Sequence, residues 1–293
     1  MPFSYVEMMN SFGLEEYARL PQFEAVPPTP IGPALADATV GLFTTVGALL
    51  PSHRPFKPQN DLTFRLLPRE TPVAELDFEH PSPIRSHALE DLNVAYPRDR
   101  LVELEEEGVI GELAPQAVSM LGSITTYTQL AEQTVPGIAH SFREQGVDLV
   151  LLVPFCPACH RATAIVARGL EKQGLPTIML TVLREMAEAF RPARPVFLDF
   201  PLGATVGKPN DPELQREILR QTLTAGAAMA EPWHVHDLPF QWSEDGNRDW
   251  EDDVRGLYAG KGREIHRARV EEHIEDGETL SGREREFEIG CAC

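Results

Sequence analysis

Cysteine is scarce in this chain, with four residues among 293. That number is too small for a disulfide framework, so each cysteine needs its own explanation. Long apolar runs are also missing. The longest, Val147 to Phe155, is interrupted by Asp148 and is too short to cross a bilayer. The opening stretch "MPFSYVEMMNSF" has no basic segment followed by an apolar one, so no secretory signal is expected. A cytoplasmic setting follows, in which thiols stay reduced. Basic residues are outnumbered, 26 Lys and Arg against 45 Asp and Glu, for a net charge of −19. Such a field repels duplex nucleic acid and anionic membranes. Neither GxGxxG, P-loop spacing nor an internal repeat is present.

What remains is ordinary for a globular protein: 42% hydrophobic and 24% charged residues. Residues 1–35 read as an arm, with "PQFEAVPPTPIGP" proline-rich and extended. Residues 36–242 read as an α/β catalytic domain with flavodoxin-like or Rossmann-like layers. Residues 243–293 read as a charged, partly helical tail; 15 acidic and 8 basic residues fall within 243–289, and the chain ends Cys291-Ala-Cys293.

Within the central region, "ATVGLFTTVGALL" predicts a buried strand and a glycine turn. A long loop follows, carrying Arg54, Arg65 and Arg69. "PRDRLVELEEEGVI" predicts a helix with Leu101 and Leu104 inward, and another helix is expected over 126–145. After Gly146, short apolar runs alternate with helical patterns: "VDLVLLVPF", "ACHRATAIVARGLEKQG", "LPTIMLTV", "LREMAEAF", "PVFLDF" and "PELQREILRQTLTAGAAMA". That alternation predicts a largely parallel sheet, whose ligands bind at the carboxyl ends of strands. The stretch "FPLGATVGKPND" follows one such strand and serves equally as a helix-capping loop or a ligand loop. "WHVHD" has His-x-His spacing, but no third ligand is identifiable nearby, and it is taken as structural.

Half of the cysteines stand at one strand-to-helix junction, in "VPFCPACHRA". Pro157 suits the first helical position, which places the Cys156 thiol at the helix amino terminus. Unpaired N–H groups and the helix dipole there are expected to lower its pKa. Cys159 lies one turn on, with His160 and Arg161 able to add positive charge. The same residues admit other chemistry. CxxCH fits haem attachment, which needs export. Zinc or an iron–sulfur cluster could use Cys156, Cys159, Cys291 and Cys293, although Cys-x-Cys is tight for zinc. A redox-neutral cysteine nucleophile, as in racemases or hydrolases, would leave Cys159 dispensable, and two inert packed cysteines are the plainest option.

Four stretches resemble a known family: "DLTFRLLPRE", "HPSPIRSHALEDLNVAYPRDRLVELEEEGVIGELAPQAVSMLGSI", "GVDLVLLVPFCPACHRA" and "PVFLDFPLG". They are similar to the selenoprotein subunits of glycine/sarcosine/betaine reductase component B and of D-proline reductase. By position, the resemblance sets Cys156 where that family has selenocysteine and Cys159 at its partner. It implies reductive cleavage of a carbon–nitrogen bond beside a carboxylate, together with a separate pyruvoyl-bearing subunit. With sulfur in place of selenium, a carbon–sulfur bond is an alternative target. The expected cycle has Cys156 attack and Cys159 resolve the adduct to a disulfide. A thioredoxin-like dithiol then resets the pair, with Cys291 and Cys293 as a relay. Arg65, Arg85 and Arg161 are the candidates for holding a carboxylate, and His80 or His87 for protonating a leaving group. No resident metal is required, and self-association is open.

Overall fold

The computed structural model describes residues 2–78, 80–230 and 233–259. The strands, in chain order, are β1 (Thr39–Thr44), β2 (Ala48–Leu49), β3 (Arg65–Pro68), β4 (Asp77–Phe78) and β5 (Glu112–Leu113). They continue as β6 (Gln116–Ser119), β7 (Leu149–Val153), β8 (Thr177–Thr181), β9 (Pro195–Phe197) and β10 (His236–Asp237). The helices are α1 (Tyr5–Ser11), α2 (Glu15–Ala18), α3 (Ser86–Glu90), α4 (Arg98–Glu106), α5 (Tyr127–Gln129), α6 (Val135–Glu144), α7 (Pro157–Lys172), α8 (Arg184–Phe190), α9 (Pro212–Ala228) and α10 over 250–259.

One sheet runs β10-β9-β8-β7-β1-β6-β3, with β5 also on β1; β2 and β4 form a separate ribbon. Every pair in the large sheet is parallel except β3 with β6. The fold is therefore α/β, with a largely parallel sheet flanked by helices. β7 and β8 are buried along their whole length, which fits their unbroken apolar sequence. The chain leaves β1 toward β6 on one side, then returns to place β7 on the other. Thr44 pairs with Ser119 in β6 and with Val153 in β7, so three strands end level at that switch point. Ligands in such sheets gather where the strand order reverses. Among the described residues, no helix is long and apolar enough to cross a membrane.

Several elements differ from the sequence reading. The start of the expected arm is part of the body: α1 and α2 lie there, and Tyr5, Met8 and Met9 are core residues. Ser4 caps α1 by accepting from the Glu7 N–H. Only the proline-rich part beyond them is extended, and it is strapped to the body. Thr29 N donates to Glu171 Oε2 at 2.6 Å, and Arg168 reaches Glu24 O at 2.7 Å. The long loop after β2 contains β3, so Arg65 sits on a strand. The helix expected over 126–145 is interrupted by a π-turn, Leu130–Thr134, just before Pro136, which has no N–H to continue the regular ladder. The charged tail contains α10, whose Trp250, Val254 and Tyr258 are buried. Cys291 and Cys293, with the relay or metal roles considered for them, lie outside the described residues.

Candidate active site

Cys156 is the N-cap of α7. Its backbone is extended (φ −98°, ψ 176°), Pro157 follows within the first helical turn, and its sulfur accepts from Cys159 N at 3.4 Å. The cysteine sulfurs are 3.1 Å apart, and both residues are free thiols with no solvent exposure. Cys159 points inward to the ends of β1 and β6, with Thr45 O at 3.4 Å. A Cβ on Gly122 would lie 2.6 Å from Cys159 Sγ and 2.8 Å from its Cα, so the absence of a side chain lets the helix dock.

The third member is His80, 79 residues before Cys159 in the chain. Its Nε2 lies 3.2 Å from Cys159 Sγ, while its Nδ1 accepts from the Ser82 backbone N–H at 3.1 Å. A nitrogen that accepts carries no proton, so the proton is on Nε2 and is donated to the sulfur. Phe155 packs edge-on against the ring at 4.8 Å between centroids. The Ser82 hydroxyl in turn lies 3.3 Å from the phenol of Tyr258, on α10.

The electrostatics reverse one expectation. Burial pushes the Cys156 thiol up, and the neighbouring Cys159 adds to the rise; the two backbone donors of the helix start do not offset them. Burial also opposes ionisation of Cys159, but donation from Cys156 S–H and from His80 brings it well below its ordinary value. The pair titrates as a unit, with the first negative charge on Cys159 and the remaining proton on Cys156. His160 does not supply positive charge. Burial lowers it to about 4, its Nδ1 donates to Cys156 O at 2.8 Å, and its Nε2 accepts from Val182 N at 3.3 Å.

Other candidates from the sequence are placed elsewhere. His87, half-buried, packs its ring against Trp242 at 5.4 Å, whereas His80 contacts Cys159. Arg65 lies over the Phe56 ring at 4.2 Å and donates to Arg54 O. Arg85 is exposed at the start of α3. Arg161 is buried on α7, donates to Tyr17 O at 2.7 Å, and lies 5.9 Å from the Tyr5 ring centroid. Ser82, Gly122, Tyr5 and Tyr258 were not identified from sequence. None belongs to a local motif around the cysteines; Ser82 and Gly122 fall inside a stretch that carries the family resemblance.

Residues 6–154 match the family model described as glycine/sarcosine/betaine reductase selenoprotein B. The chain is 32% identical over 214 residues to D-proline reductase subunit gamma of Acetoanaerobium sticklandii, covering 73% of this chain and 88% of that protein. It is 27% identical over 234 residues to sarcosine reductase complex component B subunit beta of Peptoclostridium acidaminophilum, 75% of this chain and 52% of the relative. It is also 27% identical over 229 residues to glycine reductase complex component B subunit gamma of Carboxydothermus hydrogenoformans, 74% and 52%. The chain thus spans about half the length of these last two. No solved structure matches it significantly.

Proposed function

The chain belongs to the glycine/sarcosine/betaine reductase selenoprotein B family, and on that premise we propose that it is a thiol-dependent reductase subunit cleaving a carbon–heteroatom bond in a small carboxylate. Its relatives are named as reductase subunits, one of them for D-proline. The observation that carries the reading is the 3.1 Å contact of two free, buried sulfurs, one of them held by a histidine N–H.

The cycle runs as follows. Cys156 passes its proton across the existing contact to Cys159, and the Cys156 thiolate attacks the substrate carbon. The carbon–heteroatom bond breaks, and the leaving group takes the proton from Cys159. The Cys159 thiolate then attacks the Cys156 sulfur, and the carbon departs with the electron pair and takes a proton from water. One bond has been reduced by two electrons, and the two thiols have become a disulfide. An external dithiol of thioredoxin type restores the pair. Cys156 is assigned the attack because Cys159 is walled in by Gly122, Thr45 and His80. His80 keeps its proton throughout and stabilises charge on Cys159, a role different from protonating the leaving group. For a cyclic substrate such as D-proline, cleavage beside the carboxylate opens the ring to a linear amino acid. A partner subunit would activate the leaving nitrogen.

A second reading rests on the three donor atoms of His80, Cys156 and Cys159, all within 4.8 Å of one another. Zinc on that set is disfavoured by two observations. Binding needs a bare Nε2, yet the Ser82 N–H occupies Nδ1 and leaves the proton on Nε2. Tetrahedral zinc with bonds of about 2.3 Å holds its sulfurs roughly 3.7 Å apart, wider than the contact here.

The test is intact mass after mild oxidation and after reduction, with elemental analysis of the same sample. Reversible loss of two hydrogens, mapped to Cys156–Cys159 and abolished in Cys156→Ser and Cys159→Ser, is expected. Stoichiometric zinc without disulfide closure would replace this reading with the metal one.

A further inference from the structure

Beside the helix that carries the cysteines, the fold holds a polar atom that its protein surroundings leave unused. The Tyr5 hydroxyl is fully buried and has no hydrogen-bond partner. A buried hydroxyl in that state is costly, and in a native site it calls for a ligand or an ordered water. Tyr5 is placed by design of the body: Glu185 on α8 accepts from Ser4 Oγ at 2.7 Å and from Val6 N at 2.8 Å, pinning α1 on both sides of it. Trp250 on α10 closes the end of this segment by packing on Phe3 at 5.7 Å.

A cation stands against the Tyr5 ring, while the Glu185 carboxylate is taken up by Ser4 and the backbone of α1. The Arg161 guanidinium lies over its ring, and Arg161 also bonds the phenol of Tyr127. The amino-terminal N–H groups of the sixteen-residue α7 and the Cys156 sulfur stand one turn away on the same helix. Burial holds the Tyr5 phenol protonated, with Cys156 among the charges it senses, so at neutral pH the group is a donor.

We propose that the Tyr5 hydroxyl and the Arg161 guanidinium together receive the carboxylate of the substrate, and that Tyr5 is a specificity-determining residue carried into the site by the amino-terminal helix. This rests on the reading of Cys156 as the nucleophile. Arg161 supplies charge and planar donors, and Tyr5 supplies a directional bond to one oxygen. Removing α1 would remove half of the carboxylate site.

The test needs no knowledge of the physiological substrate. Iodoacetate and iodoacetamide alkylate thiols by the same displacement and differ in one carboxylate. The two reagents are nearly equal in size, so the ratio of their rates at Cys156, read by peptide mass mapping, cancels accessibility. In the full-length protein that ratio should exceed the ratio for a small free thiol. Tyr5→Phe should lower it about tenfold, the equivalent of one hydrogen bond to a charged group, with the iodoacetamide rate and melting temperature held. Arg161→Lys, which keeps the charge and loses the fork, should lower it in part. A ratio equal to that of the free thiol, or one unchanged in Tyr5→Phe, overturns the proposal. So does a parallel fall in both rates, which marks a packing role. Disulfide closure between Cys156 and Cys159 is measured separately. Its presence with an indifferent ratio sinks the carboxylate site alone, and its absence sinks the reductase reading.

Discussion

The Ser82 backbone N–H donates to His80 Nδ1 at 3.1 Å, and that bond decides what the other ring nitrogen offers Cys159. With Nδ1 occupied, Nε2 is a fixed donor 3.2 Å from the sulfur. The imidazole therefore holds a thiolate on Cys159 by a directed N–H bond.

His80→Ala removes that donor from a buried anion. Ionisation of Cys159 should move upward, because burial opposes it and one of the offsetting bonds is gone. Disulfide formation at neutral pH should slow about tenfold or more, given the usual strength of a hydrogen bond to a charged group. Thiolate absorbance against pH, with oxidation rates on the same samples, checks it. An unchanged titration would mean that Cys156 alone sets the charge on Cys159.

Stability should fall with acid through His160. Its folded-state value is depressed from 6.5 to about 4, so between those values the unfolded chain binds a proton that the fold does not. Folding stability then rises with pH across that window: it is fully present above about 6.5 and declines toward 4. The full span is worth about 3 kcal/mol for this group. Denaturant melts at several pH values should show the slope, and His160→Gln should flatten it.

The strand–helix unit that holds the cysteines was legible because its signals are local. An apolar run into Cys156, Pro157 behind it and a helical pattern after it require no distant contact. The rest of the site is assembled by topology. His80 and His87 flank one short segment and look alike in sequence. Yet α3 begins at Ser86 and turns His87 toward Trp242, while the turn at Ser82 holds His80 on the sulfur. The helix dipole at Cys156 was a sound local inference, overridden by complete burial and by a neighbour that takes the charge first. Tyr5 lies on a helix of seven residues, too short for periodicity to stand out. Its one local mark is the Ser4-to-Glu7 capping spacing.

The proline-rich strap depends on a buried ion pair. Arg194 Nη1 meets Glu171 Oε1 at 2.8 Å with both side chains buried, and the same carboxylate accepts from Thr29 N and Thr177 N. Arg194→Met leaves that carboxylate without its cation and should cost about 3–5 kcal/mol. The strap around Thr29 should then become the first site of limited proteolysis. Cleavage elsewhere first would show that the strap holds by its apolar contacts.

Gly122→Ala tests the wall behind the thiols. The added Cβ would meet Cys159 Sγ at 2.6 Å, Thr45 Cβ at 2.7 Å and Cys159 Cα at 2.8 Å. These contacts come from α7 and from the end of β1, two elements that cannot both retreat without opening the sheet–helix packing. Overpacking of this kind costs about 1–3 kcal/mol, read as a lowered melting temperature. The helix start would be displaced outward, lengthening the reach of His80 to Cys159. Disulfide formation should therefore slow in the folded variant well below its melting range. A variant that melts earlier yet oxidises at the normal rate would mean that Gly122 serves packing alone and that the position of Cys159 is set from the His80 side.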